Sequence, residues 1–177
     1  MAICKNIECK KKFDKIRANQ LVCSYSCASA YTKQLRDKKE KKEWTARKKK
    51  VAEELKTNSD HRKELQILVN KFIRLRDKDK GCISCGQSLN TKFDAGHFRS
   101  VGSCPELRFN EENIHGQCVY CNQHLHGNLI QYRKRLIDRI GLEKVYYLES
   151  NHEPKKYSIL ELIEMKVIYK SKIKSIE

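Results

Sequence analysis

The chain has 177 residues, with 38 lysines and arginines against 22 aspartates and glutamates, a formal net charge of +16. Its hydrophobic fraction of 39% lies below the roughly 45–50% of an ordinary globular domain, which argues against a large-core α/β enzyme. It has no apolar run of about 18 residues and no apolar leader-like stretch after Met1, which argues against membrane and secreted proteins. Nine cysteines in such a chain therefore favour metal binding over disulfides.

Positive charge is concentrated in the first half of the chain. Residues 1–81 hold 24 basic and 11 acidic residues, whereas residues 82–150 hold 8 and 7, and residues 151–177 hold 6 and 4. A strongly basic half joined to a nearly neutral half is typical of a polyanion-binding arm on a folded module.

The first element is a cysteine cluster within residues 1–30. Its spacing is Cys4-x4-Cys9 followed by Cys23-x3-Cys27, which predicts a four-thiolate zinc knuckle. We expect a hairpin-like stretch from about Phe13 to Val22 between the two pairs, and a helix that opens at the second pair.

A basic helical arm follows. Residues 33–56 contain no glycine or proline and hold 11 basic and 5 acidic residues, which predicts a long helix. Its basic run is expected to contact DNA phosphates, although such a run is often only a solvated face; the run is Arg47, Lys48, Lys49 and Lys50. Residues 57–60 predict a break and a new N-cap, and residues 60–77 predict an amphipathic helix that docks on the next domain.

The second cysteine cluster has the tighter spacing. Cys82-x2-Cys85 and Cys118-x2-Cys121 predict a closed, structural four-thiolate zinc site, which leaves Cys104 as a free thiol. Between the pairs we expect strands at 92–98 and 113–117, and after them helices at 120–140, 142–150 and 158–174. The zinc would join the start of the first strand to the start of the first helix, and place His97 and Asn113 around one cleft.

These elements predict a mainly α fold with a small α+β core. We expect four parts: an N-terminal zinc knuckle at 1–30, a basic helical arm with an amphipathic helix at 31–80, a ββα zinc core at 81–141, and C-terminal helices at 142–177.

The central region resembles the HNH (His-Me finger) endonucleases, whose ββα-metal module has a treble-clef-like zinc. The resemblance lies in His97 on the first strand, Asn113 five residues before Cys118, Asn122 directly after Cys121, and His126 one helical turn later. The stretch from Asp94 onward also looks like the phage NinG (Rap) recombination endonuclease family, through its AGHF, LRF, NIHGQC, CN and GNL-x-x-YR elements.

What the resemblance implies is a metal-dependent, structure-selective DNA endonuclease that acts on branched recombination intermediates such as D-loops and Holliday junctions. His97 would be the general base and Asn113 would orient it or hold the strand. One Mg²⁺ or Mn²⁺ would be held by Asn122, with Asp94 and His126 as further candidate ligands. From the loop, Arg99 and Arg108 would contact DNA phosphates. Apart from the resemblance, Arg133 and Arg135 are further candidates for such contacts because of their position in the following helix.

The sequence departs from the common HNH pattern at two positions. Gly96 stands where many members have a metal-ligating acid, and Asn122 stands where many have a histidine. Since asparagine is a weak neutral ligand, the cation is expected to be mostly hydrated, which suits Mg²⁺. Structural roles also stay open: Asp94 as a turn residue, Asn122 as a helix N-cap, and His126 as a solvent-facing helix residue.

Two other functions stay open, a nicking HNH endonuclease on linear DNA and a non-catalytic two-zinc DNA-binding protein. The resemblance implies branched DNA as the partner, host recombination proteins as further partners, and the cytoplasm of a bacterial host as the location of a phage-encoded protein. A four-way junction also suggests a homodimer, with helix 60–77 as a candidate interface. No membrane partner is expected.

Overall fold

Five α-helices, two small antiparallel sheets and two short turns of 3₁₀- and π-helix make up the regular structure of the described residues, which are 1–150 and 152–177 of a computed structural model. The prediction of a mainly helical chain is confirmed. The chain separates into two units, Met1–Lys56 and Thr57–Glu177. Among the described helices, none has both the length and the apolar character needed to cross a membrane.

The first unit begins with a two-stranded sheet. Strand β1, Ala2–Ile3, pairs antiparallel with β2, Lys12–Phe13, so that Ala2 lies opposite Phe13. The predicted hairpin at 13–22 is therefore wrong, because the hairpin encloses the first cysteine pair and not the segment that follows it. Within this hairpin, Lys10 adopts a positive φ of 50° at the turn.

Helix α1 of the first unit spans Tyr25–Glu54. It begins at the second cysteine pair, as predicted, because the side chain of Ser24 accepts a hydrogen bond from the backbone N–H of Cys27 at 3.2 Å. Cys27 is its only buried residue within the described chain, and the large apolar side chains Leu35 and Trp44 are exposed. Beyond its first turns α1 is thus a solvated basic helix.

The second unit begins with α2, Asn58–Asp77. A capping box sets its start: Thr57 accepts from the backbone N–H of Asp60 at 3.3 Å, and Asp60 accepts from the backbone N–H of Thr57 at 3.0 Å. The predicted break and restart of the helix are confirmed.

The second sheet pairs β3, Phe93–His97, with β4, Ile114–Cys118, in antiparallel register with His97 opposite Ile114. Both predicted strands are confirmed. Three helices follow: α3 Leu129–Ile140, α4 Leu142–Glu149 and α5 Ile159–Ile176. Gly141 separates α3 from α4 with a positive φ of 88°.

Two apolar clusters hold the second unit together. The first cluster joins α2, α5 and the sheet, and its fully buried members are Leu65, Val69, Ile73, Ile114 and Leu162. The prediction that the amphipathic helix docks on the next domain is therefore confirmed. The second joins α3, α4 and the loops beside the sheet, and it contains Ile83, Tyr132, Leu136, Val145 and Leu148. The sheet is therefore supported by helices from both ends of the unit.

A buried carboxylate attaches the end of α2 to β4. Asp77 is fully buried, pairs with Arg76 at 2.7 Å, and accepts from the backbone N–H of Gly116 at 2.9 Å. Burial alone would raise the pKa of Asp77, but the hydrogen bonds and charge of Arg76 and the amide of Gly116 lower it to about 2.

The single helix predicted at 120–140 is wrong. The structure has a π-helical turn at Tyr120–His124, then three successive positive φ angles of 49°, 89° and 45° at His126, Gly127 and Asn128, and only then α3. The chain reverses here because the N–H of Gly127 bonds back to the carbonyl of Cys121 at 3.0 Å, which ends the first turn. Residues 120–128 consequently form a tight turn next to the cysteines.

Candidate active site and metal centres

The second unit brings four thiols together at one point. Cys82, Cys85, Cys118 and Cys121 place their Sγ atoms within 4.8 Å of one another, with Cys85 and Cys118 at 3.8 Å. Four sulfurs held about 2.3 Å from one tetrahedral zinc lie about 3.8 Å apart. The donor set and its spacing therefore fit a zinc ion, which this cluster could hold as predicted.

Backbone N–H groups support these sulfurs as thiolates. Cys118 donates to the Sγ of Cys82 at 3.3 Å, and Cys121 donates to the Sγ of Cys118 at 3.4 Å. Burial acts to raise the pKa of Cys82, but backbone donors, those of Cys85 and Cys118 first, outweigh it and lower the pKa to about 7. Burial and the neighbouring thiols raise the pKa of Cys121 to about 12, so four thiolates need a cation to coexist.

The first unit carries the other cluster, Cys4, Cys9, Cys23 and Cys27, also with all Sγ atoms within 4.8 Å. Cys23 lies 3.6 Å from Cys9 and 3.7 Å from Cys27. Hydrogen bonds from Ser24 and Asn6 lower the pKa of Cys27 to about 6. The side chain of Asn6 also accepts from Gln34 at 2.9 Å, which holds the loop against α1. This cluster likewise could hold zinc.

The zinc cluster of the second unit is joined to the turn at 126–128 by a buried polar network. Gln117 on β4 donates to the carbonyl of Gly127 and to the hydroxyl of Ser84, both at 2.6 Å, and the amide of Asn128 contacts the Sγ of Cys121 at 3.7 Å. The cluster therefore fixes the position of the turn relative to the sheet.

A cleft of about 580 Å³ opens beside that turn. Its walls come from β3 and the residues after it on one side, and from the turn on the other. The residues that line it are Ala95, His97, Phe98, Arg99, Ser100, Val101, Ser103, Asn122, His126, Gly127 and Leu129. The structure thus brings His97, Asn122, His126 and Arg99 to one site.

His97 is held in a defined orientation. Its Nε2 lies 3.0 Å from the carbonyl oxygen of Arg108. Because a carbonyl can only accept, Nε2 carries the proton in this contact and Nδ1 is left with its lone pair. Burial lowers the pKa of His97 below its ordinary 6.5, and it outweighs the hydrogen bond to the carbonyl of Arg108, which raises the pKa; the charge of Arg108 lowers it further. The ring is therefore neutral at pH 7 and able to accept a proton.

Asn113 holds the loop that follows β3. It is fully buried, and its side-chain oxygen accepts from the backbone N–H of Arg99 at 2.7 Å. Its amide nitrogen donates to the carbonyls of Arg99 at 3.0 Å and Leu107 at 3.2 Å. Asn113 does not line the cleft, so in the structure it positions the loop on which the cleft depends.

The candidate cation ligands form a small network. The Oδ2 of Asp94 accepts from the side-chain amides of Asn122 at 2.9 Å and Gln123 at 2.8 Å. Since the nitrogen of Asn122 is bound to Asp94, the Oδ1 of Asn122 is the atom that remains for a ligand in the cleft. His126 lines the cleft in a left-handed backbone conformation that is uncommon for non-glycine residues. Asp94 is not among the cleft-lining residues.

Gly96 is required by close packing. A Cβ atom at this position would lie 2.2 Å from the Oε1 of Gln117 and 3.1 Å from its Cβ, so an acidic side chain here would require the side chain of Gln117 to move. The departure noted in the sequence therefore has a steric cause: the amide of Gln117 occupies that space and supports Gly127.

The candidate DNA-binding arginines lie in different places. Arg99 lines the cleft and contacts the Sγ of Cys104 at 3.4 Å, whereas the side chain of Arg108 lines a separate pocket. Arg133 forms a bidentate salt bridge with Glu149, with N–O distances of 2.6 and 3.0 Å. Arg135 donates to the carbonyl of Cys85 at 3.4 Å. Residues 47–50 lie on the solvated part of α1 in the other unit.

Sequence reasoning missed the residues that support the site. Gln123 shares the carboxylate of Asp94, Gln117 fixes the turn, and Ser100 and Ser103 line the cleft. The signal for Gln117 was present, because a glutamine on the buried side of a predicted strand must find polar partners. No comparable signal marked Gln123, Ser100 or Ser103.

Comparison with known proteins finds relatives that match nearly the whole chain. The model of a family described as "Bacteriophage Lambda NinG protein" matches residues 1–177. The chain is 44% identical over 189 aligned positions to protein ninG of Escherichia phage lambda, and 42% identical over 189 to protein ninG of Salmonella phage P22. Each alignment covers 98% of this chain and 92% of the relative. No solved structure matches the chain.

Proposed function

Since the chain belongs to the NinG family, we propose that it is a metal-dependent DNA endonuclease that cuts branched recombination intermediates. The observation that carries this proposal is the orientation of His97. The Nε2 of His97 donates a hydrogen bond to the carbonyl of Arg108. His97 lines one cleft with Asn122, His126 and Arg99. An oriented neutral imidazole beside candidate cation-binding and phosphate-binding groups is one arrangement that can catalyse phosphodiester hydrolysis.

The order of elements supports an HNH-type module. β3 carries His97, the antiparallel β4 follows, and α3 begins after the turn that contains Asn122 and His126. A Cys4 cluster lies at the junction of the sheet with this turn. The same arrangement of a histidine on the first strand and polar ligands near the helix is what the resemblance to His-Me finger nucleases implies.

The proposed reaction begins with proton removal. A water in the cleft gives its proton to Nδ1 of His97, and its oxygen attacks the scissile phosphorus in line with the leaving 3′-oxygen. The P–O3′ bond breaks, and the leaving oxygen takes up a proton from solvent. Arg99 lies on the same cleft wall and neutralises charge on a phosphate oxygen.

The residues present fit a hard divalent cation. Asn122 offers an amide oxygen and His126 an imidazole, while Asp94 fixes the amide of Asn122 and adds negative charge. Mg²⁺ binds few protein ligands and keeps several waters, and Mn²⁺ accepts the same donors. When bound, the cation supplies charge that stabilises the phosphate and the leaving oxygen.

Branched DNA is the proposed substrate because the resemblance to the NinG (Rap) recombination endonucleases implies it, and the solvated basic helix suits contact with DNA phosphates. The run Arg47–Lys50 lies on a solvated helix. The Nζ of Lys48 lies over the ring of Trp44, 5.5 Å from the ring centroid. Lysine and arginine contacts to phosphates give affinity without sequence information. Host recombination proteins and a second copy of the chain are further proposed partners, within the cytoplasm of a phage host.

A cleavage assay with three substrates tests this proposal. Purified protein is incubated with a labelled D-loop, a four-way junction and a linear duplex that has the same arm sequences, each with Mg²⁺, Mn²⁺ or EDTA. Cutting of the branched substrates that EDTA abolishes is the expected result. Equal cutting of the linear duplex would support a nicking HNH enzyme instead. Binding of DNA without cutting under either metal would support a two-zinc DNA-binding protein.

A further inference from the structure

A second concave site lies in the second unit and shares no lining residue with the cleft. It has a volume of about 410 Å³ and three chain segments meet there: the start of α2, the loop before Phe109, and the segment that precedes α5. Its lining residues are Asn58, Arg62, Pro105, Arg108, Lys155, Lys156 and Tyr157. Four of these seven are cationic and none is acidic.

Hydrogen bonds between the segments define the shape of this pocket. Asn58 on α2 donates to the carbonyl of Tyr157 at 2.6 Å, and the hydroxyl of Tyr157 donates to the carbonyl of Glu106 at 3.2 Å. The Nε of Arg108 donates to the side chain of Gln66 on α2 at 3.0 Å. The guanidinium of Arg108 is thereby fixed, with its terminal nitrogens left for other partners.

The cations of the pocket are poorly neutralised. In the part of the chain that the structure describes, Arg62, Arg108 and Lys156 form no salt bridge with a carboxylate. Lys155 lies 3.8 Å from Glu161, but both side chains are about half exposed, so the pair is weak. Burial and then the nearby charge of Arg62 lower the pKa of Arg108, as expected for two guanidinium groups that line the same pocket.

We propose that this pocket, formed by Arg62, Arg108, Lys155 and Lys156, binds a backbone phosphate of the nucleic acid. An anion placed between the four groups relieves their mutual repulsion, and guanidinium forks match phosphate oxygens. Arg62, Lys155 and Lys156 are exposed. That exposure suits a polymer lying across the surface better than an enclosed small anion.

The pocket is connected to the cleft through one residue. Arg108 places its guanidinium in the pocket, while its carbonyl oxygen accepts from Nε2 of His97. A phosphate held by Arg108 would therefore fix a stretch of backbone beside the proposed general base. This inference rests on the proposed function in one respect, which is that the nucleic acid is DNA. In a branched substrate, a second arm could supply the phosphate that the pocket binds.

Direct binding measurements test the pocket without cleavage. Fluorescence anisotropy of a labelled four-way junction and a linear duplex is measured in EDTA over a range of salt. The test variant combines Arg62→Gln, Lys155→Gln and Lys156→Gln. The control combines Arg74→Gln, Lys170→Gln and Lys174→Gln, which removes the same charges from exposed positions outside the pocket.

The test variant is expected to bind the junction about tenfold more weakly than the control. Its slope of log K against log salt should be shallower by about 0.9 for each phosphate that the variant no longer neutralises. A charge-conserving variant, Arg62→Lys with Lys155→Arg and Lys156→Arg, should retain binding if charge is what matters. Equal affinities and slopes for the test and control variants would overturn the inference.

Together with the three-substrate cleavage assay, these binding measurements separate this inference from the proposed function. If the wild type never cuts DNA but the test variant alone loses affinity, the endonuclease proposal fails and the phosphate site stands. If the wild type cuts junctions while the test variant binds like its control, the pocket inference fails and the endonuclease proposal stands.

Discussion

His97 donates from Nε2 to the carbonyl oxygen of Arg108, with 3.0 Å between the two atoms. The histidine ends β3 and the arginine follows a short 3₁₀ turn at Pro105–Leu107, so the contact closes the loop between them. This one hydrogen bond selects the tautomer of His97 and links the cleft to the cationic pocket. The predictions that follow concern the residues and metals that keep this arrangement in place.

Asn113→Ala should destabilise the second unit strongly. The change removes three hydrogen bonds and leaves backbone groups of Arg99 and Leu107 without partners in a buried place. We expect the free energy of unfolding to fall by about 2–4 kcal/mol. Urea unfolding followed by circular dichroism measures this, with the exposed Asn90→Ala as control. Equal stability of the two variants would show that Asn113 does not hold the loop.

Each cysteine cluster should bind one zinc ion. Metal analysis of the purified protein should give two zinc ions per chain, and Cys4→Ser and Cys82→Ser should each give one, since each cluster loses a ligand. Cys104→Ser is the matched control because Cys104 belongs to neither cluster, and it should retain two. Chelation should also lower the melting temperature, since zinc binding contributes to folding. Two zinc ions in Cys82→Ser would contradict the assignment.

Asn122→Ala should raise the concentration of Mg²⁺ that supports half-maximal cleavage. The variant loses the amide oxygen that we propose binds the cation, and we expect an increase of about 10- to 100-fold. Gln123→Ala is the control, because Gln123 donates to the same oxygen of Asp94 but does not line the cleft. Similar metal requirements for the two variants would place the cation elsewhere.

The second unit should lose stability as the pH falls below about 6.5 because of His115. Burial lowers the pKa of His115 to about 3, helped by the positive charges of Arg76, Arg139 and Lys80 and opposed by Asp77. The folded pKa lies below the unfolded value of 6.5, so the unfolded chain takes up the proton first. His115 therefore costs the folded state no stability above pH 6.5. The free energy of unfolding falls as the pH decreases from 6.5 towards 3.

The slope of this loss should approach about 1.4 kcal/mol per pH unit for one histidine. Urea unfolding of zinc-loaded protein at pH 7.5, 6.5 and 5.5 measures it. His115→Gln, which keeps a side chain able to bond the hydroxyl of Tyr132, should show a shallower dependence. An unchanged slope in this variant would assign the effect to other groups.

Local signals in the sequence were sufficient for much of the fold. The capping residues Thr57 and Asp60, the two short strands, and the paired cysteine spacings each depend on short-range chemistry, and the structure has all of them. The failure at 120–140 has a different origin. Residues 126–128 take left-handed conformations because Gln117 and the cysteine cluster hold the turn, and those contacts are distant in sequence.

The candidate site was predictable in its parts and not in its connections. The resemblance pointed to His97, Asn122 and His126, which the structure brings to one cleft. It grouped Arg99 with Arg108, whereas the side chains of these two residues line different pockets. The course of the loop between them depends on Asn113 and on the contact of Arg108 with Gln66, and neither contact follows from spacing.

The most direct test of the proposed mechanism is the cleavage rate of a four-way junction by His97→Ala in Mg²⁺, measured beside the wild type and His124→Ala. His124 is an exposed histidine on the π-helical turn outside the cleft, so its loss should leave the rate unchanged. Removing the general base should lower the rate by about 10²- to 10⁴-fold, with junction binding in EDTA unaffected. Cleavage by His97→Ala at the rate of the wild type would contradict the assignment of His97 as the base.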